Sequence, residues 1–184
     1  PAYVRPNDAF GYSIFADGAG AFVLERCSNG ESGYINGQLL TDGTQWDYIG
    51  VYSGGTHSPV TKERIAAQEY GLQNLQPLPG DRNVRLWPMV VEKLTEKSGI
   101  SVSDVNHFIF TQINRSVIVK VMEALGEPIN KTSFVMDRYG YTGSGCIPMA
   151  FHHAVKEGAI KRGQKVVFMA SGAGLAVGSN LFIY

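Results

Sequence analysis

Cysteine and histidine are the residue types with which this sequence could carry out nucleophilic or metal-dependent chemistry. Cys146 stands near the start of a predicted helix, where the helix dipole lowers a thiol pKa, but packing against Pro148 and the sheet favours a structural role. Cys27 ends a predicted strand and is interpreted as a small apolar filler. His152 and His153 are adjacent and point about 100° apart on a helix. With no cysteine or carboxylate at ligand spacing around them, the sequence predicts no metal site.

Two glycine clusters could use backbone N–H groups instead of side chains. Residues 140–145 (GYTGSG) lead into a predicted helix, and residues 172–174 (GAG) join two predicted strands. Neither cluster matches the dinucleotide fingerprint or the phosphate-loop pattern, which disfavours nucleotide binding. No G-x-S-x-G elbow supports a Ser-His-Asp hydrolase. Two interpretations stay open: the glycines permit tight turns and close packing, or their N–H groups hold an oxyanion or thioester carbonyl.

Length and composition indicate the class of protein that must position these groups. The chain has 184 residues, of which 16 are basic and 16 acidic, and 44% are apolar. That is enough for one domain with a sizeable core, and zero net charge disfavours broad nucleic-acid binding. No apolar run approaches the roughly 20 residues of a membrane span. Two cysteines cannot form a disulfide framework, so we expect a cytoplasmic protein. Since the chain starts at Pro1, we also expect a fragment.

Hydrophobic periodicity predicts an α/β layered domain. Amphipathic helices are indicated over 87–94, with Pro88 in the first turn, over 117–125 and over 147–155. In the second half, these helices alternate with strands that are apolar throughout, which is typical of a sheet covered on both faces. The predicted strands are 12–15, 21–24, 34–40, 48–52, 107–110, 132–136, 165–170 and 175–183.

Six short motifs occur in an order that resembles one protein family. Residues 111–114 (TQIN) are similar to a catalytic His-Gln-Ala-Asn motif, and residues 137–142 (DRYGYT) to Asp-Arg-Tyr-Gly-Asn-Thr. The other matching segments are ADGAGA at 16–21, GGT at 54–56 before Pro59, EG at 157–158 with KRG at 161–163, and GAG at 172–174. Together they resemble the C-terminal half of β-ketoacyl-acyl-carrier-protein synthase III, in the thiolase superfamily, over essentially the whole chain.

The resemblance implies a thiolase-like half with a mixed five-stranded sheet and helices on both faces. Residues 1–184 would be the C-terminal domain, and the absent N-terminal half would carry the cysteine nucleophile. The implied activity is acyl transfer on acyl thioesters, as in fatty acid or polyketide-type biosynthesis. Coenzyme A or a phosphopantetheine thioester would be the substrate, with no further cofactor. The full-length protein would be a homodimer, without a nucleic-acid or membrane partner.

The residues that align with the family's catalytic pair differ from it. The histidine position is Thr111 and the asparagine position is Tyr141, so each offers one hydroxyl donor, and neither can act as a base near neutral pH. The backbone N–H of Ala173 would still hold an acyl oxyanion. The resemblance also assigns substrate contacts to Gln112, Asn114, Arg115, Gly172 and Gly174. We expect decarboxylative condensation to be nearly abolished and the isolated domain to be inactive.

The helix after residue 114 would meet an acidic acyl carrier protein in the family. Here Ser116 occupies the position of an arginine, Arg115 lies about 100° around the helix, and Glu123 stands where a lysine is common. Lys120 is the main remaining cation, so we expect weak recruitment of such a carrier. Two alternatives to an acyltransferase stay open, namely a non-catalytic partner subunit and a thioester-binding module.

Overall fold

The fold is described from a computed structural model, which covers residues 3–28 and 30–184. Helices and strands alternate through the second half, as the periodicity predicts. The helices are α1 Ala9–Ile14, α2 Lys62–Ala66, α3 Arg82–Lys97, α4 Arg115–Ala124, α5 Met136–Tyr139 and α6 Cys146–Lys156. The strands are β1 Gly33–Gln45, β2 Ile49–Val51, β3 Leu72–Asn74, β4 His107–Phe110, β5 Lys165–Gly172 and β6 Gly174–Ile183.

A mixed sheet with the order β1-β6-β5-β4 forms the centre of the molecule. The β1–β6 and β5–β6 pairs are antiparallel, and β4 runs parallel to β5. Strands β2 and β3 form a separate antiparallel pair. The α/β architecture is confirmed, because the described part of the chain places helices against both faces of the mixed sheet.

The apolar residues of the short strand β4 divide between two cores. Phe108 and Phe110 face the larger core, which lies under α3 and α4 and includes Trp87, stacked on Phe110 at 5.5 Å. Ile109 points to the opposite face, where Ala150 and other residues of α6 cover it. Since successive residues of a strand point to opposite faces, a strand buried on both sides reads as a continuous apolar run.

The expected five-stranded sheet is wrong by one strand, and residues 132–136, predicted as a strand, do not join it. The described residues contain four strands in this sheet, and Thr132 makes only an isolated parallel bridge to Phe108. The side chain of Gln112 explains the difference. Its amide accepts a hydrogen bond from Val135 N and donates one to Ser133 O, at 2.9 and 3.2 Å. These backbone groups are therefore satisfied by a side chain instead of a neighbouring strand.

The N-terminal segment also differs from the prediction. Residues 12–15 fall mostly in α1, because Asp8 caps that helix by accepting a hydrogen bond from Gly11 N at 2.8 Å. Residues 21–24 have the composition of a strand but join no ladder. Val23 and Leu24 are 95% and 79% exposed, so the described residues leave their side chains largely uncovered.

Helix α3 begins at Arg82, which places Pro88 inside the helix instead of in its first turn. A proline there removes one backbone hydrogen bond and costs about 3 kcal/mol. The buried face of α3, with Trp87, Val91 and Leu94 all 0% exposed, stabilises the helix against this cost.

Candidate functional site

Thr111 lies at the carboxyl end of β4, where the parallel pairing with β5 holds it. Its backbone N–H donates to Met169 O at 2.8 Å, and the residue is only 3% exposed. The short apolar strand before it is buried on both faces and therefore fixes where the Thr111 hydroxyl can lie.

Tyr141 reaches the same place from a different part of the chain. Gly140 ends α5 with φ 68°, a left-handed conformation that glycine adopts without strain and that redirects the chain. Tyr141 N then donates to Ile14 O at 2.9 Å, and the tyrosine ring packs on Phe15 with centroids 5.6 Å apart. These contacts hold the phenol beside the end of β4.

The two hydroxyls meet directly. Thr111 Oγ1 donates a hydrogen bond to the Tyr141 hydroxyl oxygen at 3.2 Å. Burial raises the pKa of Tyr141, so its phenol keeps its proton at neutral pH. The pair can therefore hold an oxygen atom by hydrogen bonding but cannot supply the positive charge of an imidazolium.

Cys146 lies beneath this pair as the first residue of α6. Its sulfur is 3.5 Å from Thr111 Oγ1 and accepts a hydrogen bond from Gln112 N at 3.3 Å. Burial raises the pKa of the Cys146 thiol, which outweighs the lowering expected from a helix start. The interpretation of Cys146 as a structural residue agrees with this, but the sequence did not reveal its contact with Thr111. The signal available in the sequence was a cysteine five residues after Tyr141, at the start of a predicted helix.

Gln112 is buried at 1% exposure, and its side chain forms hydrogen bonds with backbone groups. Besides its bonds to Val135 N and Ser133 O, its Nε2 donates to Phe110 O at 2.9 Å. The amide thus ties the end of β4 to the segment that leads into α5. In this structure Gln112 positions Thr111, and the substrate contact implied by the resemblance stays a prediction.

Asn114 and Arg115 begin helix α4 at the protein surface. Asn114 Oδ1 caps the helix by accepting from Ser116 N at 2.9 Å. The Arg115 guanidinium lies over the Phe134 ring, with 4.2 Å between Cζ and the ring centroid. Lys120 and Glu123 are both exposed on the same helix. Arg115 and Lys120 are therefore accessible to a ligand, although Arg115 already has an aromatic partner.

The glycine turn is placed apart from the hydroxyl pair. Gly172, Ala173 and Gly174 form the exposed to half-exposed connection between β5 and β6. The β4–β5 register, extended by one residue, sets Thr111 level with Ala170. Ala173 is three residues further along, about 10 Å at the usual rise of a strand. The structure thus brings Thr111 and Tyr141 together and leaves the turn at the edge of the same end of the sheet.

Two further observations concern metal ligands and helix length in the described ranges, 3–28 and 30–184. No group of three or more His, Cys, Asp or Glu side chains there is arranged to hold a metal ion. Within the same ranges, no helix has the length and apolarity needed to cross a bilayer.

Comparison with known sequences points to one family. Residues 95–184 match the family described as 3-oxoacyl-[acyl-carrier-protein (ACP)] synthase III C terminal. A β-ketoacyl-[acyl-carrier-protein] synthase III from Aliarcobacter butzleri is 32% identical over 169 residues, which cover 92% of this chain and 51% of that relative. The chain spans about half the length of the curated relatives it matches.

Solved structures agree with the sequence match. A 3-oxoacyl-(acyl carrier protein) synthase III from Pseudomonas aeruginosa PAO1 aligns with 100% of this chain and 54% of its own, with a TM-score of 0.83 and 24% identity. A 3-oxoacyl-[acyl-carrier-protein] synthase III from Aquifex aeolicus VF5 aligns with 86% of this chain and 46% of its own, with a TM-score of 0.66 and 26% identity. The chain therefore has the thiolase-like fold and is the C-terminal half of a β-ketoacyl-acyl-carrier-protein synthase III-like protein, with residues 95–184 belonging to that family's C-terminal domain.

Proposed function

We propose that this chain is the C-terminal half of an acyltransferase that acts on acyl thioesters of coenzyme A or phosphopantetheine, in fatty acid or polyketide-type biosynthesis. The missing half would supply a cysteine nucleophile, and the full-length protein would form a homodimer in the cytoplasm. The observation that carries the proposal is the Thr111–Tyr141 hydroxyl pair, 3.2 Å apart, at the positions to which the sequence resemblance assigns the family's histidine and asparagine.

The chemistry of this pair limits the reaction. A thioester carbonyl oxygen that gains negative charge is stabilised by preorganised hydrogen-bond donors, and the Tyr141 phenol is such a donor. Decarboxylation of a malonyl thioester produces an enolate, which the family's protonated histidine and its asparagine would hold. Losing one donor of this kind typically costs about 10²–10³ in rate. We therefore propose that acyl transfer is retained, that decarboxylative condensation is strongly reduced, and that this chain alone is inactive.

The charges on the surface of α4 affect how well an acyl carrier protein could bind. Arg115 is held over Phe134, and Glu123 places an exposed negative charge on the helix that would meet an acidic carrier protein. Complementary charge chiefly increases association rate and specificity. A coenzyme A thioester is therefore the favoured acyl donor, and an acyl carrier protein the weaker one.

The proposal is tested by incubating the full-length protein with acetyl-coenzyme A and measuring its intact mass. We expect an acetyl adduct on a cysteine of the N-terminal half, and no adduct on this chain alone. Calorimetric binding of coenzyme A without any adduct would instead identify a thioester-binding module. Neither adduct nor binding, together with co-purification with an active synthase, would identify a non-catalytic partner subunit.

A further inference from the structure

The hydrogen bonds beneath Tyr141 form a series that begins at the backbone of Gln112, and the donor of each bond follows from the protons that its groups carry. The backbone N–H of Gln112 can only donate, and it donates to Cys146 Sγ at 3.3 Å. The backbone N–H of Gln112 is held in this orientation because the buried Gln112 side chain makes hydrogen bonds to Phe110 O, Ser133 O and Val135 N. The sulfur of Cys146 is therefore an acceptor on this side.

Counting protons determines the middle of the chain. A threonine hydroxyl has one proton, and Thr111 gives it to the Tyr141 oxygen at 3.2 Å. The 3.5 Å contact between Thr111 Oγ1 and Cys146 Sγ must then use the thiol proton, so Cys146 donates to Thr111. The raised pKa of the buried Cys146 thiol keeps that proton in place at neutral pH.

The phenol is the end of the series. The Tyr141 oxygen accepts from Thr111, which leaves its own proton free, and no acceptor for it is found in the part of the chain that the structure describes. Hydrogen bonds in series polarise one another, so each donor strengthens the next. We infer that Gln112, Cys146 and Thr111 form a donor relay that commits Tyr141 to donate its hydroxyl proton to a ligand oxygen, with Cys146 as a positioning residue.

The relay restricts which ligand atom fits. A carbonyl or carboxylate oxygen accepts the Tyr141 proton, whereas an amide or hydroxyl donor would compete with Thr111 for the same oxygen lone pairs. A thioester carbonyl meets this requirement. That choice of ligand rests on the proposed function, but the relay itself does not depend on it.

Two spectroscopic signals in the protein alone test the relay. The first is the ¹³Cζ shift of Tyr141, assigned with Tyr141→Phe. We expect Thr111→Val to move this resonance, Cys146→Ala to move it less in the same direction, and Cys146→Ser to restore it, since serine also donates. The second is the S–H stretching band of Cys146, identified as the band that Cys146→Ser removes. Thr111→Val should move that band to higher frequency, because the thiol loses its acceptor.

Thr111→Ser is the matched control, because it keeps the hydroxyl and should leave both signals near their wild-type positions. An unchanged ¹³Cζ shift in folded Thr111→Val and Cys146→Ala variants would overturn the inference. A Cys146 S–H band at the frequency of a free thiol in the wild-type protein would overturn it too, without any change at the site. Neither signal requires turnover, so failure of the relay is distinguishable from failure of the proposed acyl transfer.

Discussion

Thr111 and Tyr141 define what the site can do at the scale of single residues. Each contributes one hydroxyl, and the first donates to the second, so one proton remains to contact a ligand. An imidazole at position 111 would add a group that changes charge near neutral pH, which a threonine hydroxyl cannot do. The proposed loss of condensation follows because neither hydroxyl can carry the positive charge of a protonated imidazole.

A third residue, His107, makes the stability of the fold depend on pH. It starts β4, is 1% exposed, and its Nε2 lies 2.9 Å from Ser133 Oγ. Burial lowers the pKa of His107 to about 4, so the folded protein contains the neutral imidazole. An unfolded chain has a histidine pKa of about 6.5 and binds the proton more readily.

We therefore predict that acid destabilises the wild-type protein between about pH 6.5 and 4. The contribution of the neutral imidazole is fully present above pH 6.5 and is lost as the pH falls, by up to about 3 kcal/mol. His107→Gln retains an amide that can reach Ser133 but does not titrate. Urea unfolding at several pH values should show a shallower slope for the variant over this window. Equal slopes for the two proteins would assign the acid sensitivity to other groups.

At the scale of elements, helix α4 depends on its cap. Asn114 Oδ1 accepts from both Ser116 N and Ser116 Oγ, at 2.9 and 2.8 Å, and so orders the first turn that presents Arg115. We predict that Asn114→Ala lowers the free energy of unfolding by about 1 kcal/mol, whereas Asn114→Asp, which also caps, changes it little. Urea denaturation measures both. A loss of equal size in the two variants would show that Asn114 stabilises the protein by another contact.

Local patterns predicted the elements that bury their own apolar faces. Helix α4, helix α6 and strands β4, β5 and β6 lie within a few residues of the predicted ranges, because each packs against a neighbour in this chain. The prediction was wrong where a side chain from another part of the sequence determines the local backbone structure. Residues 132–136 lack a ladder because a distant glutamine side chain satisfies their backbone, and residues 12–15 became helix because Asp8 caps it.

The site was predictable to a similar extent. The motif order alone indicated that positions 111 and 141 belong together, and the structure places their hydroxyls in contact. The role of Gln112 and the contact of Cys146 were not predictable, since both depend on the three-dimensional path of the chain between residues 112 and 146. Whether Ala173 holds an oxyanion stays a prediction.

At the scale of the whole molecule, two observations concern the chain's length and its exposed apolar residues. It spans about half the length of its curated relatives, and Val23 and Leu24, 95% and 79% exposed, lie in a segment without a ladder. Exposed apolar residues that are contiguous in sequence favour contact with another chain or segment. The proposed activity accordingly belongs to the full-length protein, in which the two halves of the fold would enclose the hydroxyl pair.

The measurement that tests the central claim most directly is malonyl-thioester decarboxylation by the full-length protein, compared with its Thr111→His/Tyr141→Asn variant. We predict a slow reaction in the wild type and an increase of about 10²-fold or more in the variant, the effect expected from restoring one or two oxyanion donors. Cys27→Ala, an exposed change outside the site, serves as the control and should leave the rate unchanged. A wild-type rate equal to that of the double variant would contradict the claim that the hydroxyl pair limits condensation.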